Sequence, residues 1–339
     1  IPVYDATVIE KLKAKKAVAI AKTTLDELAM GGTGLSGHLG MTYNPYDKSH
    51  TRLVGGSSCG SAAATAAGIV PFALGSDTGD SVRKPASLAG LVGFKPTWSR
   101  ISRYGLFPFA PSLDAVAYFA RNVMDIAIVT EALAGRDDRD STSSTKPVEK
   151  YAENVKIACK TPRIAVIKEV IDTISDKDVL EAFNKTLDGL KSKGFVINEV
   201  SMPVSVLESL LPTYFVISCA EATSNNANLD GIKFGPLSNG ETYEEVMANA
   251  RTKGFSELIK RRFVIGSFAL MKENKNDLFI RAQKNRRRIV DLINNILKEN
   301  DFIYLPAAPS IAPKATDGAD KLSDEYLIAD NHLCMGNFA

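Results

Sequence analysis

The run SSCGSAAATAAGIVPFALGSDTGDSVRKPASLAG, residues 57–90, constrains the fold of this chain more than any other stretch. Small residues from Ala62 to Ala67 favour a closely packed helix, and Ile69 to Leu74 follow as an apolar strand. Ser76 to Ser81 form a tight turn, and Pro85 lies near the start of the next helix, where its missing N–H costs nothing. Helix, strand, turn and helix in so short a span is α/β grammar. It sets the turn at the carboxyl end of a strand, where such sheets place ligands.

The rest of the chain extends this pattern. The spacing predicts a helix over Ala6–Lys15, a short buried strand over Ala17–Ala21 and a second helix over Leu25–Met30. Gly31 to Ser58 is rich in Gly, Asn, Pro and Ser and reads as loop; a loop this long in a compact protein is more often functional than idle. Arg163–Val170 and Phe195–Val200 read as strands. Between them, Ser175 with Asp178 caps a helix that carries Val179, Phe183, Leu187 and Leu190 at helical spacing. Glu257 to Glu299 is helical, with Leu278, Ala282, Ile289, Ile293 and Ile296 as its apolar stripe, and Phe302–Leu305 is a last buried strand closed by Pro306. No repeat or low-complexity linker divides the chain, so one mixed α/β domain is the simplest organisation.

Composition removes several function classes. The 339 residues are 45% hydrophobic and carry 41 basic against 39 acidic side chains, a net charge of +2. That balance does not favour a surface that tracks a nucleic-acid backbone. Cys59, Cys159, Cys219 and Cys334 are far apart with no CxxC pair, which argues against a disulfide framework or a zinc site and for a reducing compartment. No apolar run reaches the roughly 18 residues that span a bilayer. The opening segment has neither a signal-peptide core nor an Arg/Ser-rich presequence, so the chain is expected to start inside a fold.

Two features near Ser81 bear on chemistry. Thr78, Gly79 and Asp80 precede it in the turn, so successive backbone N–H groups can converge on one point. Acyl transfer needs that arrangement for the oxyanion of its tetrahedral intermediate, one donor contributing about 3 kcal/mol. GGSSCGS, residues 55–61, sets hydroxyls at a helix start beside glycines that permit unusual backbone angles. Alternatives stand beside this reading. A phosphate cradle would want GK[ST], which is absent. Helix capping alone accounts for Ser57 and Ser58. A histidine-based nucleophile elbow has only His38, His50 and His332 to draw on, none with a carboxylate at motif spacing.

The run GGSSCGSAAATAAGIVPFALGSDTGDSVRKPASLAGLVGFKPTWSRISRYGLFPFAPSLDAVAYFAR resembles the amidase signature. YDATVIEKL, GRDDRDSTS, CAEATSNNANLDGIKFG and IKRRFVIGSFAL narrow the likeness to the A subunits of glutamyl-tRNA(Gln) amidotransferases, over nearly the whole chain. The resemblance implies an amidase-signature fold: α/β, with a central mixed β-sheet covered by helices on both faces. It also implies a Ser–cis-Ser–Lys triad, with Ser81 as acyl-ester nucleophile and Ser57, preceded by a cis peptide, as proton relay. The base is a lysine, neutral when it works and therefore of depressed pKa. In the family it lies further upstream of the relay serine than the 56 residues that precede Ser57 here, and Lys22 matches a different family lysine. The expectation is a single amidase domain over residues 1–339, without its N-terminal part, which holds that lysine, and without a C-terminal part. Two departures stand out: TGDS where relatives carry TGGS, which puts Asp80 in the oxyanion loop, and Cys59 in place of a glycine, read as a packed core thiol.

For the substrate, the resemblance implies that Arg262, Asp330 and Tyr214 clamp the amino-acid head of glutamine: a guanidinium forks onto the α-carboxylate and a carboxylate takes the α-ammonium. The implied enzyme is the glutaminase component of a carbon–nitrogen ligase. It supplies ammonia that converts Glu-tRNA(Gln) to Gln-tRNA(Gln) in a complex with a tRNA-binding kinase/transamidase (the B component) and a small third component of C or F type. No cofactor or metal is expected in this chain; ATP and Mg²⁺ belong to the partner. The rivals are a stand-alone amidase acting on another small amide, against which Arg262 and Asp330 argue, and a non-catalytic scaffold of the same fold. Many Lys and Asn residues in a family-like core point to a fungal organellar version and the mitochondrial matrix, with a bacterial cytoplasmic enzyme as the alternative.

Overall fold

The computed structural model describes residues 3–157, 161–316 and 328–339; Cys159 lies outside them. The signature run forms helix α2 (Cys59–Ala66), strand β1 (Phe72–Asp77) and helix α3 (Arg83–Leu88), following α1 (Thr7–Ala14). Strand β2 (Val92–Phe94) and β3 (Ala115–Ala120) complete an antiparallel sheet of order β1–β3–β2. Every residue of β3 is buried. Its Ala117 and Phe119 pack with Cys59 and Ala62 of α2, and with Val82 and Ala86 at the start of α3. Its Val116, Tyr118 and Ala120 pack on the other side with Val8 of α1 and with Ile126, Val129 and Leu133 of α4 (Val123–Leu133). A strand sandwiched this way presents a continuous apolar run rather than an alternating one.

The second sheet is parallel, β5–β4–β6, from β4 (Arg163–Ile167), β5 (Val196–Val200) and β6 (Phe302–Ile303). Helix α5 (Lys177–Ser192) makes the crossover from β4 to β5. Its cap is Asp176, whose carboxylate accepts the N–H groups of Asp178 and Val179, and not Ser175: the acid side chain one residue later meets the free N–H groups of the first turn. The largest core lies between this sheet and α6 (Leu210–Asn225), α7 (Glu257–Leu270) and α8 (Arg281–Glu299), with Leu210, Ile217, Ile259, Phe263, Ile289 and Ile293 inside. The fold is thus mixed α/β, as expected, with antiparallel and parallel pairing held in separate ladders.

Four local expectations differ. Ala17–Ala21 forms no strand: Val18 and Ile20 are 85% and 66% exposed and pair with nothing described. Leu25–Met30 contains only a 3₁₀ turn, Glu27–Ala29, because Leu28 and Ala29 adopt positive φ. The expected single helix over 257–299 breaks after Leu270, where the Asn274 side chain donates to the Phe268 carbonyl and takes over a helix-terminal acceptor. The helical run Val204–Asn228 is long and apolar enough by those measures to cross a bilayer, contrary to the sequence expectation; here it is a core element, with Leu210, Ile217, Cys219 and Ala220 buried.

Candidate active site

The turn after β1 is fixed from below by Asp77. This carboxylate is fully buried and accepts from the N–H of Val82 (3.0 Å), from Arg83 Nε (3.1 Å) and Nη2 (2.8 Å), and from Asn337 Nδ2 (3.0 Å). Burial alone raises a carboxyl pKa; the Arg83 charge and these bonds outweigh it and bring Asp77 down to about 2. Arg83 continues the network to the carbonyls of Gly79 (2.7 Å) and Leu333 (2.7 Å) and to Asn337 Oδ1 (2.6 Å). Thr78 is turned away from the cleft, its hydroxyl donating to Asp114 at 2.6 Å. With Thr78 and Val82 both anchored, Gly79, Asp80 and Ser81 bulge between them, and their N–H groups donate to no other described residue.

Ser81 is 5% exposed and Ser57 1%. The two stretches meet directly: the Ser58 N–H donates to the Ser81 carbonyl at 3.3 Å. The Gly56–Ser57 peptide is cis, the arrangement that the family likeness implies. Ser57 Oγ is buried with no hydrogen-bond partner. Ser58, its neighbour, is occupied structurally, donating to the Ser76 carbonyl (3.2 Å) and accepting the Ser76 N–H (3.3 Å). Cys59 is the buried thiol expected, its pKa raised by burial and its sulfur accepting from the Thr42 hydroxyl.

A cavity of about 130 Å³ opens over this turn. Gly79 and Asp80 line it together with Tyr214 and Phe215 of α6, Arg262 of α7, and Asp330. Gly79 is in tight contact: a Cβ there would sit 3.0–3.1 Å from the Tyr214 ring and hydroxyl, so the ring would have to give by a few tenths of an ångström. Arg262 is 8% exposed, and its Nε and Nη1 have no hydrogen-bond partner; its guanidinium lies 4.9 Å from the Phe215 ring centre. A planar cation of this kind, held by an aromatic face, has the fork geometry that pairs with a carboxylate. Ser57, Ser81 and Thr78 are not among the residues that line the cavity, although Gly79 and Asp80 of the same turn are.

Four residues of the site were not found by sequence reasoning. Asp26 accepts from the N–H groups of Gly34 (3.0 Å) and Ser36 (2.9 Å), donates its own N–H to the Ser57 carbonyl (3.0 Å), and so fixes the Gly31–Thr33 wall of the cavity beside the relay serine. Arg83 and Asn337 were also missed. Lys84 is the fourth: its ammonium pairs with Asp330 and lies 3.8 Å from the Asp80 carboxylate. Burial pushes Asp80 up to about 6, with Lys84 opposing and the Asp77 and Asp330 charges assisting. Cys334 also lines the cavity, but burial raises its thiol pKa and keeps it protonated. Among the described residues no group of three His, Cys, Asp or Glu side chains is placed to hold a metal.

A serine on a strand-to-helix turn, a second serine behind a cis peptide and a bulge of free N–H groups between them are the parts of a serine amide hydrolase. The chain belongs to the amidase family, whose profile matches residues 1–338. Within that family it is 43% identical over 315 residues to the A subunit of glutamyl-tRNA(Gln) amidotransferase from Sulfurisphaera tokodaii (93% of this chain, 65% of that one). It is 40% identical over 332 residues to the corresponding protein of Lactobacillus delbrueckii subsp. bulgaricus (98% and 68%). The crystal structure of the Thermotoga maritima counterpart superposes with a TM-score of 0.79 at 35% identity, covering 99% of this chain and 68% of that one. The chain therefore spans about two thirds of the length of these relatives.

Proposed function

We propose that this chain is the glutamine-hydrolysing part of a glutamyl-tRNA(Gln) amidotransferase. The observation that carries the reading is Arg262: a buried guanidinium with unused donors, in the same small cavity as the bulge beside Ser81. It takes the α-carboxylate of glutamine, and the side-chain amide then extends toward Gly79–Ser81. Ser81 Oγ attacks the amide carbon, and its proton passes through Ser57 to a neutral lysine acting as base. The N–H groups of the bulge hold the oxyanion. Return of the proton to nitrogen expels ammonia and leaves a glutamyl ester on Ser81. Water then attacks the ester, releasing glutamate and restoring the serine. Tyr214 walls the cavity and Asp330 receives the α-ammonium. The ammonia passes to a partner protein that binds Glu-tRNA(Gln), ATP and Mg²⁺, with a small third component completing the complex.

The test uses the full-length protein with and without its partners. Glutamine hydrolysis is expected to exceed hydrolysis of acetamide or fatty amides by orders of magnitude and to disappear in Ser81→Ala. Intact-mass analysis after treatment with a glutamyl electrophile should find one adduct, on Ser81. An adduct elsewhere, or preference for a neutral amide, would overturn the reading and favour a stand-alone amidase.

A further inference from the structure

We infer that Asp80 is a specificity residue: its carboxylate shares the α-ammonium of the substrate with Asp330, and this second contact separates glutamine from amides that lack an α-amino group. The inference deepens the glutaminase reading of the cavity and rests on it. Asp80, Lys84, Arg262 and Asp330 line one cavity of about 130 Å³, small enough for a single amino acid to meet several of them. On that reading Arg262, 8% exposed, takes the α-carboxylate, so the α-ammonium finds its counter-ions among the carboxylates of the same cavity.

Two carboxylates gather around one lysine. Lys84 Nζ pairs closely with Asp330 and lies 3.8 Å from the Asp80 carboxylate, beyond hydrogen-bond length. Asp330 thus has a close partner, and Asp80 is held by charge alone. Burial and the Asp77 and Asp330 charges raise its carboxyl to about 6, Lys84 and Arg83 pull it down, and no hydrogen bond from a described residue offsets the burial. A sheltered carboxylate with acceptors to spare is where an incoming ammonium gains most. Lys84 does not have to move: it keeps Asp330 and the further contact that it makes. An ammonium on Asp330 alone would set two cations on one carboxylate. With Asp80 as the second acceptor there are two carboxylates for two cations, and the repulsion from Lys84 is offset. An amide without the α-amino group instead comes up against Asp80 and leaves its charge uncompensated, so the same side chain attracts the right substrate and disfavours the wrong one.

Steady-state kinetics of the full-length complex tests this with glutamine and with 4-carbamoylbutanoate, which has the same carboxylate and amide but no α-amino group. The quantity read is the ratio of the two kcat/KM values, in which the nucleophile, its relay and its base cancel. Asp80→Asn is expected to lower that ratio about tenfold, the size of one charge-assisted hydrogen bond, through a higher KM for glutamine and an unchanged or lower KM for 4-carbamoylbutanoate. Asp80→Ser should do the same and stands in if the asparagine variant does not fold. The wild-type ratio should also fall as pH drops through about 6, where Asp80 gains its proton, and this fall should be absent in Asp80→Asn. Asp77, Arg83, Lys84, Asp330, Tyr214 and Cys334 also face the group, and all of them remain in the variant. A fall that persists there would belong to one of them and would overturn the inference. Equal loss on both substrates would make Asp80 a structural member of the turn, and no loss on either would make Asp330 the sole receptor; either result overturns the inference and leaves the glutaminase reading intact. A wild-type complex that hydrolyses neutral amides but not glutamine would instead remove the glutaminase reading, and this inference with it.

Discussion

Asp77→Asn offers the most direct measure of how the nucleophile turn is held. The wild-type carboxylate is fully buried and receives side-chain donors from both Arg83 and Asn337, besides the Val82 N–H. An amide of the same shape keeps one acceptor but turns an NH₂ group toward donors, leaving the Arg83 charge without its counter-ion. Breaking one partner of a sheltered ion pair costs about 3–5 kcal/mol. The pH dependence gives a second magnitude. Asp77 falls from an ordinary 3.8 to about 2 on folding, so ionisation of this one group contributes roughly 2–3 kcal/mol. Because the folded value lies below the unfolded one, the contribution is complete above about pH 5 and is lost as pH falls toward about 2. Urea melts of wild type and variant should therefore differ by about 3–5 kcal/mol at neutral pH, and the gap should narrow progressively on acidification. A gap below about 1 kcal/mol at neutral pH, or one that stays constant into acid, would refute the argument that Asp77 is an ionised anchor.

Ser57→Ala separates chemistry from structure: the wild-type Oγ has no partner, so stability should change by less than about 1 kcal/mol while glutamine hydrolysis falls by at least about 10²-fold. Equal loss of both, read by melting and initial rates, would make Ser57 structural. Gly79→Ala should push the Tyr214 ring by a few tenths of an ångström and lower kcat about tenfold or more, with partial recovery in Gly79→Ala/Tyr214→Leu; kinetics without recovery would mean that the contact is not the cause. Asp80 titrates from about 6 when folded against an ordinary 3.8, so its contribution to stability is intact below about pH 4 and is lost as pH rises through about 6. With its side chain 24% exposed, solvent screening limits the effect to about 1 kcal/mol, seen as a wild-type stability that declines relative to Asp80→Asn between about pH 4 and about pH 6 and is flat above. No decline would place the carboxylate in water.

What the sequence disclosed was local. Helix α5 announced itself because an amphipathic stripe and a cap recur within a few residues, and even there the cap shifted by one because Ser175 and Asp176 compete for the same N–H groups. Strand β3 went unread because AVAYFA is buried on both faces and shows no alternation, so periodicity cannot tell it from a helix. Ala17–Ala21 was read as buried for the converse reason: an apolar run signals burial only if something covers it. In the site, the serines and the turn were legible because one short segment contains them. Lys84 was not, since its significance comes from Asp330, 246 positions away, and an i,i+4 pair with Asp80 looks like an ordinary helix-surface charge. Asp26 was hidden likewise, its role being to accept N–H groups from a loop whose path no local rule specifies.

The knot of Asp77, Arg83 and Asn337 has a bearing on how the protein is made. Asn337 donates to the Asp77 carbonyl and carboxylate across 260 residues, and Arg83 reaches the Leu333 carbonyl across 250. A ribosome delivers Ser81 long before it delivers these partners. Until residues 333–337 leave the exit tunnel, a buried arginine and aspartate beside the nucleophile lack their closing contacts, and the turn is not yet set. The Asp77–Arg83–Asn337 network is therefore complete only after nearly all of the described length has been made.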